Sequence, residues 1–273
     1  MTPQFETIHP DVVDQVLPRR SALRTLGMGS AGVAFGTLGA LAMADRALAQ
    51  TGQSVTDVLN FALTLEYLEE SFYSQALDQS GFLTGMAQSY VAQIQKHELA
   101  HVDLLTGAIS GAGGTPVEFD DGDFDFTAGG ALNPYGDFGN GQFLALAQGF
   151  EDTGVRAYKG QAANLMGDGD TLTVALRIHS VEARHASYVR RLRGQKGWIE
   201  GDGLNGLPPG FGFEAIYAGE DETMQGPVNV SAVSGVSDAK IAEAFDEPLT
   251  RQAVLEIADA FVNGDVDGDG EEG

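Results

Sequence analysis

Four stretches of the chain repeat apolar residues every three or four positions, the period of a helix with one buried face. The first, 54–78, opens on Ser54 or Thr56 as N-cap with Asp57 in its first turn. The second, 82–110, stops at Gly111-Ala112-Gly113-Gly114, and only a Ser80-Gly81 turn separates it from the first, so the two fold back as antiparallel neighbours. The third, 140–166, ends at Gly167-Asp168-Gly169. The fourth, 170–193, carries Arg190, Arg191 and Arg193 in its last turn, where positive charge complements the helix dipole. Between the two pairs lies 115–141, rich in Gly, Asp, Phe and Pro and without helical period, which suits a long crossover from one hairpin to the other. The pattern predicts an all-α fold, a four-helix bundle with a long crossover.

Each apolar stripe is interrupted by an acid. Glu98 falls among Val91, Ile94, Val102, Leu105 and Ile109, and Glu182 among Ala175, Ile178, Ala186 and Val189. Three residues after each comes a histidine, His101 and His185, and residues three apart share a helix face. Upstream, Glu66 sits amid Val55, Leu59, Ala62, Tyr73 and Leu77, and Glu151 amid Leu144, Ala147, Val155, Tyr158 and Leu165. Both upstream acids are followed seven residues on by a tyrosine, Tyr73 and Tyr158, so each half reads Glu-x6-Tyr and then Glu-x-x-His. Ionised carboxylates aimed into a core cost several kcal/mol unless something compensates them, and a bound cation is one such compensation.

One Glu from each of two helices and a Glu-x-x-His from each of the other two is the set with which four-helix bundles hold pairs of iron or manganese ions. Four carboxylates and two imidazoles, Glu66, Glu98, His101, Glu151, Glu182 and His185, nearly neutralise two divalent cations, Fe or Mn by ligand type. Glu69 and Glu70 flank the stripe of the first helix, and either is an alternative ligand to Glu66; the tyrosine two turns on pairs Glu66 with Glu151 instead, so both are expected at the surface or just outside the ligands. Asp152, beside Glu151, is expected to be exposed. His97 and His179 are expected to hydrogen-bond the ligands rather than to ligate. Tyr73 and Tyr158 are expected as core tyrosines with bonded hydroxyls.

The remaining segments qualify this picture. Arg19-Arg20, an uncharged Gly- and Ala-rich run to Ala44, and Ala47-Leu48-Ala49 read as a twin-arginine export signal over 1–49, which predicts a periplasmic or secreted protein. The run is also about long enough to anchor in a membrane, but its glycines make it weakly apolar, so no membrane attachment is expected after cleavage. The charge of −24 is unchanged by removing 1–49, and so acidic a surface repels nucleic acid and anionic lipid. There is no cysteine, hence no disulfide and no thiolate metal site. The bundle is expected to span 50–194. The extension, 195–273, begins with an irregular Gly- and Pro-rich stretch to 234. It continues with short helices near 237–245 and 248–263 that suit docking on the bundle or on a second subunit of a homo-oligomer. Asp265, Asp267, Asp269 and Gly270 resemble the start of an EF-hand loop without the acid at its twelfth position, and read as an acidic tail.

The duplicated motif and the order of the four helices resemble the ferritin-like superfamily over about 54–194. Within it, the leader and the long extension are similar to bacterial ferritin-like proteins related to plant desiccation-associated proteins. The resemblance implies a carboxylate-bridged dimetal centre acting on dioxygen, peroxide or ferrous iron, with a small oxidant or a metal ion as substrate. The alternative is a non-enzymatic stress or desiccation protein whose metals only pin the helices.

Overall fold

The computed structural model describes residues 53–209 and 212–263; the export signal expected at 1–49 and the acidic tail expected from Asp265 lie outside them. Four long helices form a bundle: α1 (Val55–Asp78), α2 (Gly85–Gly111), α3 (Gln142–Gln161) and α4 (Gly169–Leu192). α1 packs on α2 and α3 on α4 as two hairpins. Among the described residues no helix is long and apolar enough to cross a membrane.

Local chemistry sets the ends of these helices. Ser54 caps α1 in a reciprocal box, its hydroxyl accepting from Asp57 N at 3.1 Å while its own N–H donates to Asp57 Oδ2 at 2.7 Å. Asp168 caps α4 by accepting from Thr171 N at 3.0 Å. α2 starts three residues later than the apolar pattern suggests. Gly81 and Gly85 both take left-handed φ, so Phe82 and Leu83 belong to the turn, and Leu83 reaches the core from there. α3 is shorter than its apolar period and gives way to a 3₁₀ turn, Ala162–Leu165, that still buries Leu165.

The helices differ in how much of their surface is covered. α2 and α4 bury one stripe each, whereas α1 and α3 are buried nearly all round. The outer faces of α1 and α3 lie under the crossover and the extension, which build a second apolar layer on them. Phe72 of α1 stacks on Phe143 of α3 at 4.9 Å and meets Phe126 of the crossover and Phe150 edge-on. Fully burying rings of this size stabilises the layer by about 1.5–3 kcal/mol each.

The extension is more ordered than its composition predicts. Residues 195–234, expected without regular structure, contain a one-turn helix α5 (Phe213–Ile216), a hairpin of β1 (Met224–Gln225) and β2 (Val228–Asn229), and α6 (Val230–Ser234). These elements are too short to show a period, and left-handed glycines at 212 and 226 supply their turns. α7 (Asp238–Ala242) and α8 (Arg251–Ala258) follow, the latter capped by Thr250 and ending in a 3₁₀ turn, Asp259–Phe261. α8 docks on the bundle, since Val254, Ile257, Ala258 and Phe261 share one core with Phe61, Leu65, Leu68 and Phe150. The strand-like end then pairs with the crossover, Asp125 N donating to Phe261 O at 2.9 Å and Asn263 N to Asp123 O at 2.7 Å.

Arg156 fastens the extension to α3. Its guanidinium donates to the carbonyls of Ile216, Ala218 and Glu247 and pairs with Glu220 at 2.8 Å, and it is 1 % exposed. A second buried lock corrects the expectation that Asp152 is exposed. Asp152, 2 % exposed, takes a two-pronged ion pair from Arg190 of α4 at 3.1 and 2.5 Å and a hydrogen bond from the Tyr217 hydroxyl at 2.7 Å. Burial pushes its carboxyl up, and Arg190 and Tyr217 pull it back.

Candidate metal centre

The six residues singled out by spacing converge in the bundle interior. Glu66, Glu98, Glu151 and Glu182 are sealed from solvent, and His101 and His185 are buried beside them. They form two overlapping sets, Glu66/Glu98/His101/Glu182 and Glu98/Glu151/Glu182/His185, within each of which the ligand atoms lie within 4.8 Å of one another. Glu98 and Glu182, the acids of the two Glu-x-x-His turns, belong to both sets.

The arrangement is close to two-fold symmetric. His101 Nδ1 faces Glu98 Oε2 at 2.9 Å, Glu66 Oε2 at 3.0 Å and Glu182 Oε1 at 3.2 Å. His185 Nδ1 faces Glu98 Oε1 at 2.8 Å, Glu151 Oε2 at 3.3 Å and Glu182 Oε2 at 3.7 Å. Each shared carboxylate thus turns one oxygen to each histidine. The tyrosines complete the symmetry: Tyr158 donates its hydroxyl to Glu66 Oε1 and Tyr73 donates to Glu151 Oε1. Both bonds cross between α1 and α3, and since 66 meets 158 while 73 meets 151, the two helices run antiparallel here. The Glu-x6-Tyr spacing therefore serves the opposite hairpin, which a single-helix reading does not disclose.

The donor set fits a pair of cations. An imidazole nitrogen carries at most one proton, yet His101 Nδ1 lies against three carboxylate oxygens. Glu98 Oε1, Glu151 Oε2, both Glu182 oxygens and His185 Nδ1 are cut off from solvent with no aligned hydrogen-bond partner. Only the contacts of His101 Nδ1 with Glu66 Oε2 and Glu98 Oε2 are aligned as hydrogen bonds, and the five atoms just named have no such partner. Ligands about 2.1 Å from a cation and at right angles to each other stand about 3.0 Å apart, the spacing seen here.

The electrostatics point the same way. Burial lifts the Glu66 carboxyl to about 8 despite His101, and burial likewise holds Glu151 well above the usual range. Burial also works against a charged His101, but Glu182, Glu66 and Glu98 outweigh it and push the ring up to about 12. His185 is raised in the same way, against burial, by Glu151, Glu182 and Glu98. Burial raises the Glu182 carboxyl too, but its bonds to both histidines overcome this and bring it down to about 2. Without cations, protons must neutralise the cluster.

The neighbours divide. His97 Nδ1 lies 2.8 Å from His185 Nε2 with the rings stacked at 9°, and its other nitrogen meets the Gln93 amide at 2.8 Å. One ring donates and the other accepts across this contact, so the tautomers of His97 and His185 are set together. Glu70 is hydrogen-bonded by Gln95 at 2.7 Å. Glu69, expected near the surface or just outside the ligands, is buried at 3 % exposure, because α8 covers that side of α1. Its place one turn after Glu66 was the only sequence signal.

No curated protein matches the chain. The sequence profile of the ferritin-like domain matches residues 54–195, just over half of the chain and the span of all four bundle helices and all six converging residues. The chain therefore belongs to the ferritin-like domain family.

Proposed function

We propose that this is an exported ferritin-like protein that holds two divalent ions, iron or manganese, and carries out redox chemistry on dioxygen, peroxide or ferrous iron. The observation that carries the reading is the pair of overlapping donor sets sharing Glu98 and Glu182. Two such ions, when bound, supply a two-electron change at one place. The residues supply the rest. Tyr158 and Tyr73 hold one oxygen of Glu66 and of Glu151, leaving the other aimed inward, and His97 holds the ring of His185. Full burial of the four carboxylates restricts the substrate to small solutes.

Metal analysis of the purified protein, followed by peroxide-consumption and ferrous-oxidation assays, tests this; about two ions per chain are expected. Glu98→Ala should lose one or both ions and all turnover with the helical content retained. Full metal content in that variant would refute the ligand assignment. Near-complete enclosure of the centre favours a second reading, in which the metals only pin the helices of a stress or desiccation protein. In that case ligand loss lowers the melting temperature and no turnover exists to lose. Export is supported by Arg19-Arg20 and the Ala47-Leu48-Ala49 site, and Lys-Lys at 19–20 should leave the precursor in the cytoplasm.

A further inference from the structure

We propose that Glu69 is the uptake carboxylate of the centre: a divalent cation is received by Glu69 in the cavity beneath α8 and passes from there to Glu182. The proposal rests on the dimetal reading above and adds the route by which the ions arrive.

Glu69 is buried, 3 % exposed, but stands outside both donor sets. Among the described residues it makes no hydrogen bond or ion pair. An ionised carboxylate held this way costs several kcal/mol, more than glutamine or leucine at the same place. Nothing in the packing of α1 requires an acid there, because Leu65, Leu68 and Phe72 around it already make the core.

The surroundings say what the acid faces. Glu69 borders a half-open cavity of about 20 Å³, enough for one water or one ion, walled by Leu65, Leu68, Phe150 and Thr153 and roofed by Ile257 and Ala258 of α8. The wall is otherwise apolar, apart from the Thr153 hydroxyl, which is given to the Gly149 carbonyl at 2.7 Å. Burial favours the protonated acid in the metal-free protein, and a divalent cation entering this space can displace that proton where dioxygen cannot.

Gly154 keeps the way open from this cavity to the centre. A Cβ there would lie 3.2 Å from Glu69 Oε1, 3.6 Å from Glu182 Cγ and 3.8 Å from Glu182 Oε2. The missing side chain thus leaves a gap bordered on one side by the uptake acid and on the other by a shared ligand. Gly154 has ordinary helical φ, so conformational freedom does not explain the glycine.

The test is the rate at which metal-free full-length protein takes up Mn²⁺, followed by loss of the free-ion electron paramagnetic resonance signal, with equilibrium content measured separately. Glu69→Gln, isosteric and uncharged, should load about tenfold more slowly yet still reach wild-type content. Gly154→Ala, which narrows the gap and keeps the acid, should also slow loading. Wild-type loading rates in both variants overturn the proposal. A lower final content in Glu69→Gln also overturns it, because Glu69 would then be a ligand. Circular dichroism of both variants guards against misfolding. A wild-type protein that takes up no Mn²⁺, Fe²⁺ or Co²⁺ at equilibrium instead sinks the dimetal reading itself.

Discussion

Stripped of metal by a chelator, the protein should lose stability as pH rises from 6.5 to 8, the reverse of what a metal-loaded centre does. Burial raises the Glu66 carboxyl from its ordinary 4.5 to about 8, and the carboxylates around His101 raise its ring from 6.5 to about 12 against the pull of burial. Both groups hold a proton in the folded, metal-free state; the unfolded chain has already lost the one on Glu66 and loses the one on His101 as pH rises past 6.5. Stability from a raised group is complete below its unfolded value and drains away as pH climbs toward the folded one. One proton of difference is worth about 1.4 kcal/mol per pH unit. The two groups share one site, so a loss on the order of 2–3 kcal/mol between pH 6.5 and 8 is expected, about 5–10 °C of melting temperature. The raised values of Glu69, Glu151 and His185 act in the same direction. Glu182, depressed to about 2, loses its contribution only below 4.5, and His97, lowered by burial and by His185, titrates beneath the window. Metal competes with these protons, so loaded protein should gain affinity, and hence stability, over the same range. Thermal melts of chelated and reconstituted protein at four pH values decide the matter. A metal-free melting temperature that is flat or rising from pH 6.5 to 8 refutes the reasoning.

Three further outcomes follow from the packing. Gly160→Ala brings a Cβ within 1.9 Å of the Leu249 carbonyl and should destabilise by about 2 kcal/mol in urea unfolding, whereas Gly107→Ala in open space on α2 should stabilise by about 1 kcal/mol. Equal effects in the two variants mean that 247–249 does not lie on α3. Asp152→Ala leaves the guanidinium of Arg190 buried and unpaired and should cost about 3–5 kcal/mol; a cost under 1 kcal/mol in the same assay places the pair in solvent. His97→Phe keeps the ring stack but removes the hydrogen-bond partner of His185 Nε2, and should weaken metal binding roughly 10- to 100-fold in a chelator competition, while unchanged affinity assigns His97 a packing role only.

The sequence by itself determined the four long helices and the inward side of each. Helical period is a local property, and Glu98 with His101, or Glu182 with His185, is fixed on one face by three residues of spacing. It also determined that four acids sit in apolar stripes, which is why the six converging residues were legible before any fold was known. Tertiary structure alone decided what lies across from each of them. Tyr73 and Tyr158 serve the acids of the opposite hairpin because α1 and α3 run antiparallel, a relation between residues 78 and 92 positions apart. Asp152 is buried because Arg190 reaches it from α4 and Tyr217 from the extension, 38 and 65 residues away. Glu69 and the outer faces of α1 and α3 look like solvent positions until α8 and the crossover cover them. Local geometry sets which way a side chain points along its own helix, but burial is set by whatever distant segment packs there, and no period within the helix records it.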